Sequence, residues 1–377
     1  MTTFGSIFGG GEGAGIGARA AGLTPLWSIE QQPDIAAVAE LNGFHSLVAD
    51  ARAVDYTTLP RVDWLHTSPP CINASVAKAD AGETALDGAL AEAVCRAIRD
   101  IQPATFSLEN VIGYRHFDSY AAILAALTDL GYSYEAWTLN ASNYGVPQTR
   151  KRLILLARRG TWHIQRPEPT HVKGGDMWLP AWIGWYEAIE DLLPTLPESA
   201  FADWQLARLG PLRTNVLAHP NADNPRFPAR IGHEPAFTVA TFQAGMPRAF
   251  LMRSQNARQI GGKEVLWSDA PAMTITAEEK PRAFLVGGAN TSEGQAAPGV
   301  GVSDQQEPSR CVNASNSIHS RAWLSHGRVV ALTPRALARL MSVPDSYMLP
   351  PKASLACRVL GNMVTPLMMQ RIVESVR

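Results

Sequence analysis

The sequence predicts an α/β fold: a mostly parallel, Rossmann-like sheet with crossover helices, joined to a smaller β-rich domain. Three observations carry that expectation. From residue 3 to about 160, short apolar runs that end in acids alternate with segments of helical 3–4 spacing, the rhythm of parallel strands and crossover helices. A glycine-rich stretch follows the first run. After about residue 160 the composition shifts and short segments recur with basic turns.

The totals bound the rest. The 377 residues suffice for two domains, and 46% apolar with 18% charged residues is ordinary globular composition. Cys71, Cys95, Cys311 and Cys357 lie far apart with no CxxC or Cys/His cluster, which predicts a reducing compartment and no metal site. No run of eighteen apolar residues predicts a membrane span, and the glycine-rich start lacks the basic region of a signal peptide. A net charge of −1 means that a nucleic-acid partner has to be met by a local basic face.

Thr3 to Phe8 reads as the first strand. Gly9 to Gly17 then gives a turn in which backbone approaches a ligand, and Ala18 to Leu23 continues a helix. No GxxxxGK[ST] is present, and Glu12 beside a ligand would repel a pyrophosphate. Leu26–Glu30 and Ser46–Asp50 read as strands ending in acids, with a helix from Ile35 to Leu41 between them; an acid after the second strand is where such domains hold ribose hydroxyls.

Val62 to Leu65 reads as a strand stopped by Pro69 and Pro70, which leaves Cys71 just past a strand's carboxyl end. A thiol there is placed to act as a nucleophile; taken alone, a free cysteine more often reads as core packing. Ile72 to Gly88 is long for a βα connection and reads as a lid. A helix follows, with Leu86, Leu90, Val94, Ala97 and Ile101 on one face. Ala104–Leu108 is the next strand, ending in Glu109, Asn110 and Val111. Asp118 or Ser119 is expected to cap another helix, ended by Gly131. Tyr134–Leu139 and Arg152–Ala157 read as a closing antiparallel pair around a basic cluster that contains Gln148, Arg150 and Arg152.

Residues 205–263 hold eight Lys/Arg against two Asp/Glu, and Pro247-Arg-Ala-Phe-Leu251 recurs as Pro281-Arg-Ala-Phe-Leu285 and more faintly as Ser320-Arg-Ala-Trp-Leu324. These read as strand units with basic turns. From Gly327 the α/β character returns: Thr333-Pro334 opens a helix that Pro344 ends, and a last helix runs from about Pro366 to Val376 after Gly361-Asn362-Met363-Val364.

In this order the residues resemble the C5 DNA cytosine methyltransferase family. Ile7-Phe8-Gly9-Gly10-Gly11-Glu12-Gly13 is similar to its Phe-x-Gly-x-Gly-Gly loop, Pro69-Pro70-Cys71 to its Pro-Cys nucleophile, Glu109-Asn110-Val111 to its ENV motif, Gln148-Thr-Arg150-Lys-Arg152 to QxRxR, Leu332 to Asp345 to the segment that braces the target-recognition domain, and Gly361 to Val364 to GNxV. The resemblance implies a catalytic domain of residues 1–165 plus 328–377, with a target-recognition domain of 166–327. It implies S-adenosylmethionine, without a metal, at Phe8, Gly10, Gly13, Glu30, Asp50, Pro70, Asn362 and Val364, leaving S-adenosylhomocysteine. It implies double-stranded DNA as partner, met by Ser75, Lys78, Gln148, Arg226, Arg230, Arg248, Arg253, Arg258, Lys263 and Arg282, with the enzyme a monomer on DNA. Cys71 then adds to cytosine C6, Glu109 holds the N3/N4 edge, and Arg150 and Arg152 contact the carbonyl oxygen and a phosphate of a flipped base.

Four departures stand out: Glu12 where the family has glycine, near the methionine end of the cofactor; Ile72 and Ala74 for the usual Gln and Phe; and Ala336 for a common Glu. An RNA (tRNA) substrate, a DNA-binding homologue without turnover and transfer of a modified group from the cofactor stay open as alternatives. An NAD oxidoreductase would give Cys71 and Glu109 no role. The expected setting is the cytoplasm of a host cell, nucleoid-associated or expressed from a phage, with a cognate restriction endonuclease as an optional partner.

Overall fold

A computed structural model describes residues 1–70, 82–199 and 328–376, together with short backbone strands at 216–217, 230–231, 284–286, 302–304, 309–310 and 321–324. Its centre is a seven-stranded sheet. The strands are β1 (Thr3–Ile7), β2 (Thr24–Glu30), β3 (Ser46–Val48), β4 (Trp64–Thr67), β5 (Thr105–Asn110), β6 (Tyr132–Asn140) and, after the short β7 (Gln148–Thr149), β8 (Lys151–Arg159). Across the sheet they run β3-β2-β1-β4-β5-β8-β6. The first five are parallel, and β8 lies antiparallel between β5 and β6. The strand order reverses at β1 and β4, so a crevice opens outside their carboxyl ends, where open α/β sheets bind ligands.

Helices cover both faces, which is why the central strands read as near-continuous apolar runs. Helices α3 (Ala85–Ile101) and α4 (Asp118–Asp129) pack Val94, Ile98, Ile123 and Leu127 onto Ile7, Leu65, Phe106 and Leu108. On the opposite face, α1 (Gly13–Ala20) and the last helix press Ala14, Ala18, Met368 and Ile372 onto Phe4, Trp64, Ile154 and Leu156. Helix α2 (Pro33–Leu41) joins a third core with α5 (Trp185–Ile189), α6 (Pro334–Leu340) and α7 (Ala353–Asn362). The last helix is α8 (Pro366–Glu374). Trp185, Ile189, Leu193 and Leu196 therefore share a core with the C-terminal helices, although their sequence positions fall within the expected recognition domain.

Two recurring sequence units meet as strands. Phe284–Val286 pairs antiparallel with Arg321–Leu324, Phe284 opposite Trp323 and Leu285 opposite Ala322, in a four-stranded sheet completed by Val302–Asp304 and Arg328–Ala331. The copy at Pro247–Leu251 lies outside the described residues.

Several local expectations are corrected. β4 ends at Thr67 rather than Leu65, whereas Glu109 and Asn110 end β5 as expected. Neither Asp118 nor Ser119 caps α4: the Glu83 carboxylate accepts from Asp118 N at 2.6 Å and Ser119 N at 2.8 Å, and Phe117 is the capping residue by position. Thr333 does cap α6, its Oγ1 accepting from Ala336 N, but that helix stops at Leu340, four residues before Pro344, where Ser342 takes φ +59°. Helix α7 has no sequence-level expectation behind it; its N-cap, Lys352, offers no side-chain acceptor.

Candidate active site

The loop between β1 and α1 folds through three residues of positive φ: Phe8 (61°), Gly10 (56°) and Glu12 (62°). Gly10 faces open space, since a Cβ there would meet nothing within 4 Å. The neighbouring glycines are backed by protein. A Cβ on Gly13 would fall 2.0 Å from Val364 O, and one on Gly11 2.4 Å from Val359 Cγ1. Tyr347 Oη donates to Gly11 O at 2.8 Å. So Gly10 presents backbone to the crevice, whereas Gly13 permits the GNxV segment to close on the loop from behind. Val364 is buried there and Asn362 is exposed.

Glu30, at the end of β2, accepts from Gly10 N (3.1 Å) and Gln32 N (2.8 Å), so it ties the glycine loop to the turn after β2. Asp50, past β3, is held by Arg52, whose NH2 lies 2.6 Å from Oδ2 and keeps the carboxyl below its usual range. An open glycine backbone, two carboxylates on adjacent strand ends and a half-buried Phe8 suit a ligand with ribose hydroxyls and an adenine ring, and the donor set fits S-adenosylmethionine.

Glu12 does not project toward that ligand. Its carboxylate turns under the loop, 2% exposed, where Ser6 Oγ donates to Oε1 at 2.6 Å. Burial raises its pKa to about 7, offset in part by the Ser6 and Ser28 hydroxyls. The expectation of an acid beside the ligand fails because the left-handed turn at residue 12 aims the side chain at the sheet.

One strand away, β4 leads through Ser68 and Pro69 to Pro70, which is exposed. Cys71, Ser75 and Lys78 lie outside the described residues, as do Arg226, Arg248, Arg253, Arg258, Lys263 and Arg282; Arg230 is described only as backbone in a two-residue strand. Asn110 Nδ2 donates to Pro69 O at 3.2 Å and ties the turn before Cys71 to β5. Glu109 is buried beside it. Ser68 Oγ donates to its Oε2 at 2.7 Å, and Arg152 Nε lies 2.9 Å from Oε1 as an ion pair without an aligned hydrogen bond, so that oxygen keeps an acceptor direction open. Arg150 is buried and donates to Gly361 O at 3.3 Å, which fastens the QxRxR strand to GNxV. Gln148 is buried as well, with Nε2 3.4 Å from Leu340 O. Its strand β7 pairs in parallel with Ser309–Arg310, a direct backbone link from the later β-rich segment to the site.

Behind Glu109, Ser107 Oγ accepts from Trp64 Nε1 at 2.8 Å and shares a hydrogen bond with His66 Nδ1 at 2.9 Å. Burial pushes the His66 pKa down to about 4, so the ring is neutral. Sequence reasoning did not single out Ser68, His66, Tyr347 or Glu83. Ser68 was legible as a hydroxyl three residues past the expected Val62–Leu65 strand; the others make their contacts with residues distant along the chain.

A mostly parallel sheet with one antiparallel strand inside its edge, a glycine loop at the reversal point, and acids on the next two strand ends define a Rossmann-like, S-adenosylmethionine-dependent methyltransferase. The C-5 cytosine-specific DNA methylase model matches residues 2–206 and 240–377, and the chain belongs to that family of enzymes. It is 28% identical over 217 residues to Type II methyltransferase M.AquIA of Picosynechococcus, covering 51% of this chain and 88% of that protein. It is 28% identical over 184 residues to M.HhaI of Haemophilus parahaemolyticus, covering 46% of this chain and 56% of that one. Beyond M.AquIA, the match spans roughly half the length of these relatives. Among solved structures, a protein described as a DNA modification methyltransferase of an E. coli prophage superposes with TM-score 0.59 at 15% identity, covering 100% of this chain and 98% of that one. Spodoptera frugiperda DNMT2 gives 0.55 at 12% identity, covering 100% and 99%. These last two likenesses establish the fold.

Proposed function

We propose that the protein methylates C5 of a cytosine flipped out of duplex DNA, through a transient bond between Cys71 and C6. The observation that carries this reading is Glu109: a buried carboxylate held by Ser68 and Arg152, one strand from the Pro-Pro turn that delivers Cys71, with an acceptor direction left open. Bound S-adenosylmethionine supplies an electrophilic methyl group. The remaining chemistry belongs to the chain. Cytosine C5 is a poor nucleophile until a soft nucleophile adds at C6, and a thiolate both attacks and leaves well. The Cys71 sulfur, as thiolate, bonds C6 while the displaced electron pair is met by a proton passed to N3 from the Glu109 carboxyl; after C5 is substituted, its proton leaves to a base, the C6–S pair returns to sulfur, and N3 gives its proton back to Glu109. Glu109 receives the N3/N4 edge, Arg152 fixes Glu109, and Asn110 fixes the backbone before Cys71. Base flipping costs roughly a few kcal/mol, met by contacts from the basic second domain.

The test is duplex DNA carrying 5-fluorocytosine, incubated with protein and S-adenosylmethionine and read by intact mass. Fluorine blocks loss of the C5 substituent, so the expected product is protein, DNA and one methyl in covalent union, absent for Cys71→Ala. Turnover by Cys71→Ala would overturn the mechanism. An adduct on tRNA alone would transfer the reading to RNA. A larger added mass would mean a modified donor.

A further inference from the structure

We propose that Glu12 is a positioning residue of the cofactor loop: its side chain, slotted between Gly9 and Gly15 and bonded to Ser6, braces the turn that offers Gly10 to S-adenosylmethionine. This rests on the cofactor reading above.

The slot is specific. A Cβ built on Gly9 would fall 2.0 Å from Glu12 Oε1, and one on Gly15 2.2 Å from Oε2, so the two glycines exist as partners of this carboxyl group. Ser6 on β1 and Ser28 on β2 are opposite each other in register and floor the slot. The backbone of Glu12 is tied at both ends, N to Gly9 O at 2.9 Å and O to Ile16 N at 2.8 Å. The family's glycine at this position would leave the space beneath the loop empty and the Ser6 hydroxyl without its acceptor. A side chain here thus replaces freedom with a fixed turn, at the cost of a left-handed φ in a non-glycine residue.

The brace works as a neutral acid. Among the described residues no cation lies within ion-pair distance of Glu12. Arg19 on α1, the one cation that acts on it, spends its guanidinium on Gly43 O and the Phe44 ring; Glu30 opposes ionisation, and Tyr347 bonds Gly11 O instead. Burial accordingly holds its pKa near 7. Once ionised, the carboxylate has to draw in water or leave the slot, and the loop departs from the form that presents Gly10. S-adenosylmethionine then selects the neutral fraction, and apparent Kd rises as that fraction falls.

Isothermal titration of S-adenosylmethionine into the full chain from pH 6 to 9 tests this. The expected Kd is constant below about pH 7 and rises about tenfold per unit above it, whereas Glu12→Gln keeps the low-pH affinity across the range. Glu12→Gly, which carries the family's residue, is expected to bind at least about tenfold more weakly at pH 6.5 and without that pH break. A wild-type Kd that does not change with pH, or Glu12→Gly binding as tightly as wild type, overturns the brace while leaving the cofactor reading intact. Wild type that binds no S-adenosylmethionine at any pH overturns both.

Discussion

At the scale of single residues, the site is a set of buried polar groups that are safe only in company. Arg152 and Glu109 have side chains 16% and 6% exposed, so removing Arg152 takes the counter-charge from a buried carboxylate. Arg152→Ala is expected to lower kcat about 10²-fold or more through a displaced Glu109, with S-adenosylmethionine affinity unchanged within about twofold; steady-state kinetics beside titration separate the two. Two other buried groups pull stability in opposite directions. Glu12, raised from 4.5 to about 7, keeps its proton in the fold while the unfolded chain has lost it, so stability falls with rising pH between those values. His66, lowered from 6.5 to about 4, stays neutral in the fold while the unfolded chain is protonated, so stability rises with pH between those values. Each effect is about 1.4 kcal/mol per pH unit, and from about pH 4.5 to 6.5 they cancel. Wild type is expected to show a flat urea midpoint across that window, and Glu12→Gln one that climbs with pH.

At the scale of elements, what was legible in sequence followed the range of the forces involved. The strands were readable because helices on both faces require apolar runs, and α6 because Thr333 and Pro334 announce it locally. The ENV glutamate could be placed at a strand end from spacing alone. Its Arg152 partner could not be assigned to it, because that pairing depends on β8 lying beside β5, and the inward turn of Glu12 depends on hydroxyls from two adjacent strands. The cap of α4 was misassigned for the same reason: its acceptor sits 35 residues upstream of Asp118. That cap has a measurable worth. Glu83 covers two orphan amides at the positive end of α4, and Glu83→Ala is expected to destabilise the protein by about 1–2 kcal/mol in chemical denaturation, with no change in S-adenosylmethionine affinity.

At the scale of the whole molecule, a net charge of −1 coexists with a segment, residues 205–263, that holds eight Lys/Arg against two Asp/Glu. Binding to DNA then has to come from local counter-charge, and its affinity has to depend on salt. If four or more phosphates are neutralised, log Kd against log salt has a slope of about 3.6 or steeper, measured by fluorescence anisotropy on non-target duplex. A slope near zero would remove the basic segment from the DNA interface.

The glycine loop rests on Val359, Met363 and Val364, which follow it in the chain by more than three hundred residues. During synthesis the loop, Glu30 and Asp50 therefore leave the ribosome long before that backing exists. The loop therefore waits for backing that is distant in sequence, and a chain cut before Val359 is expected to lose S-adenosylmethionine affinity in titration.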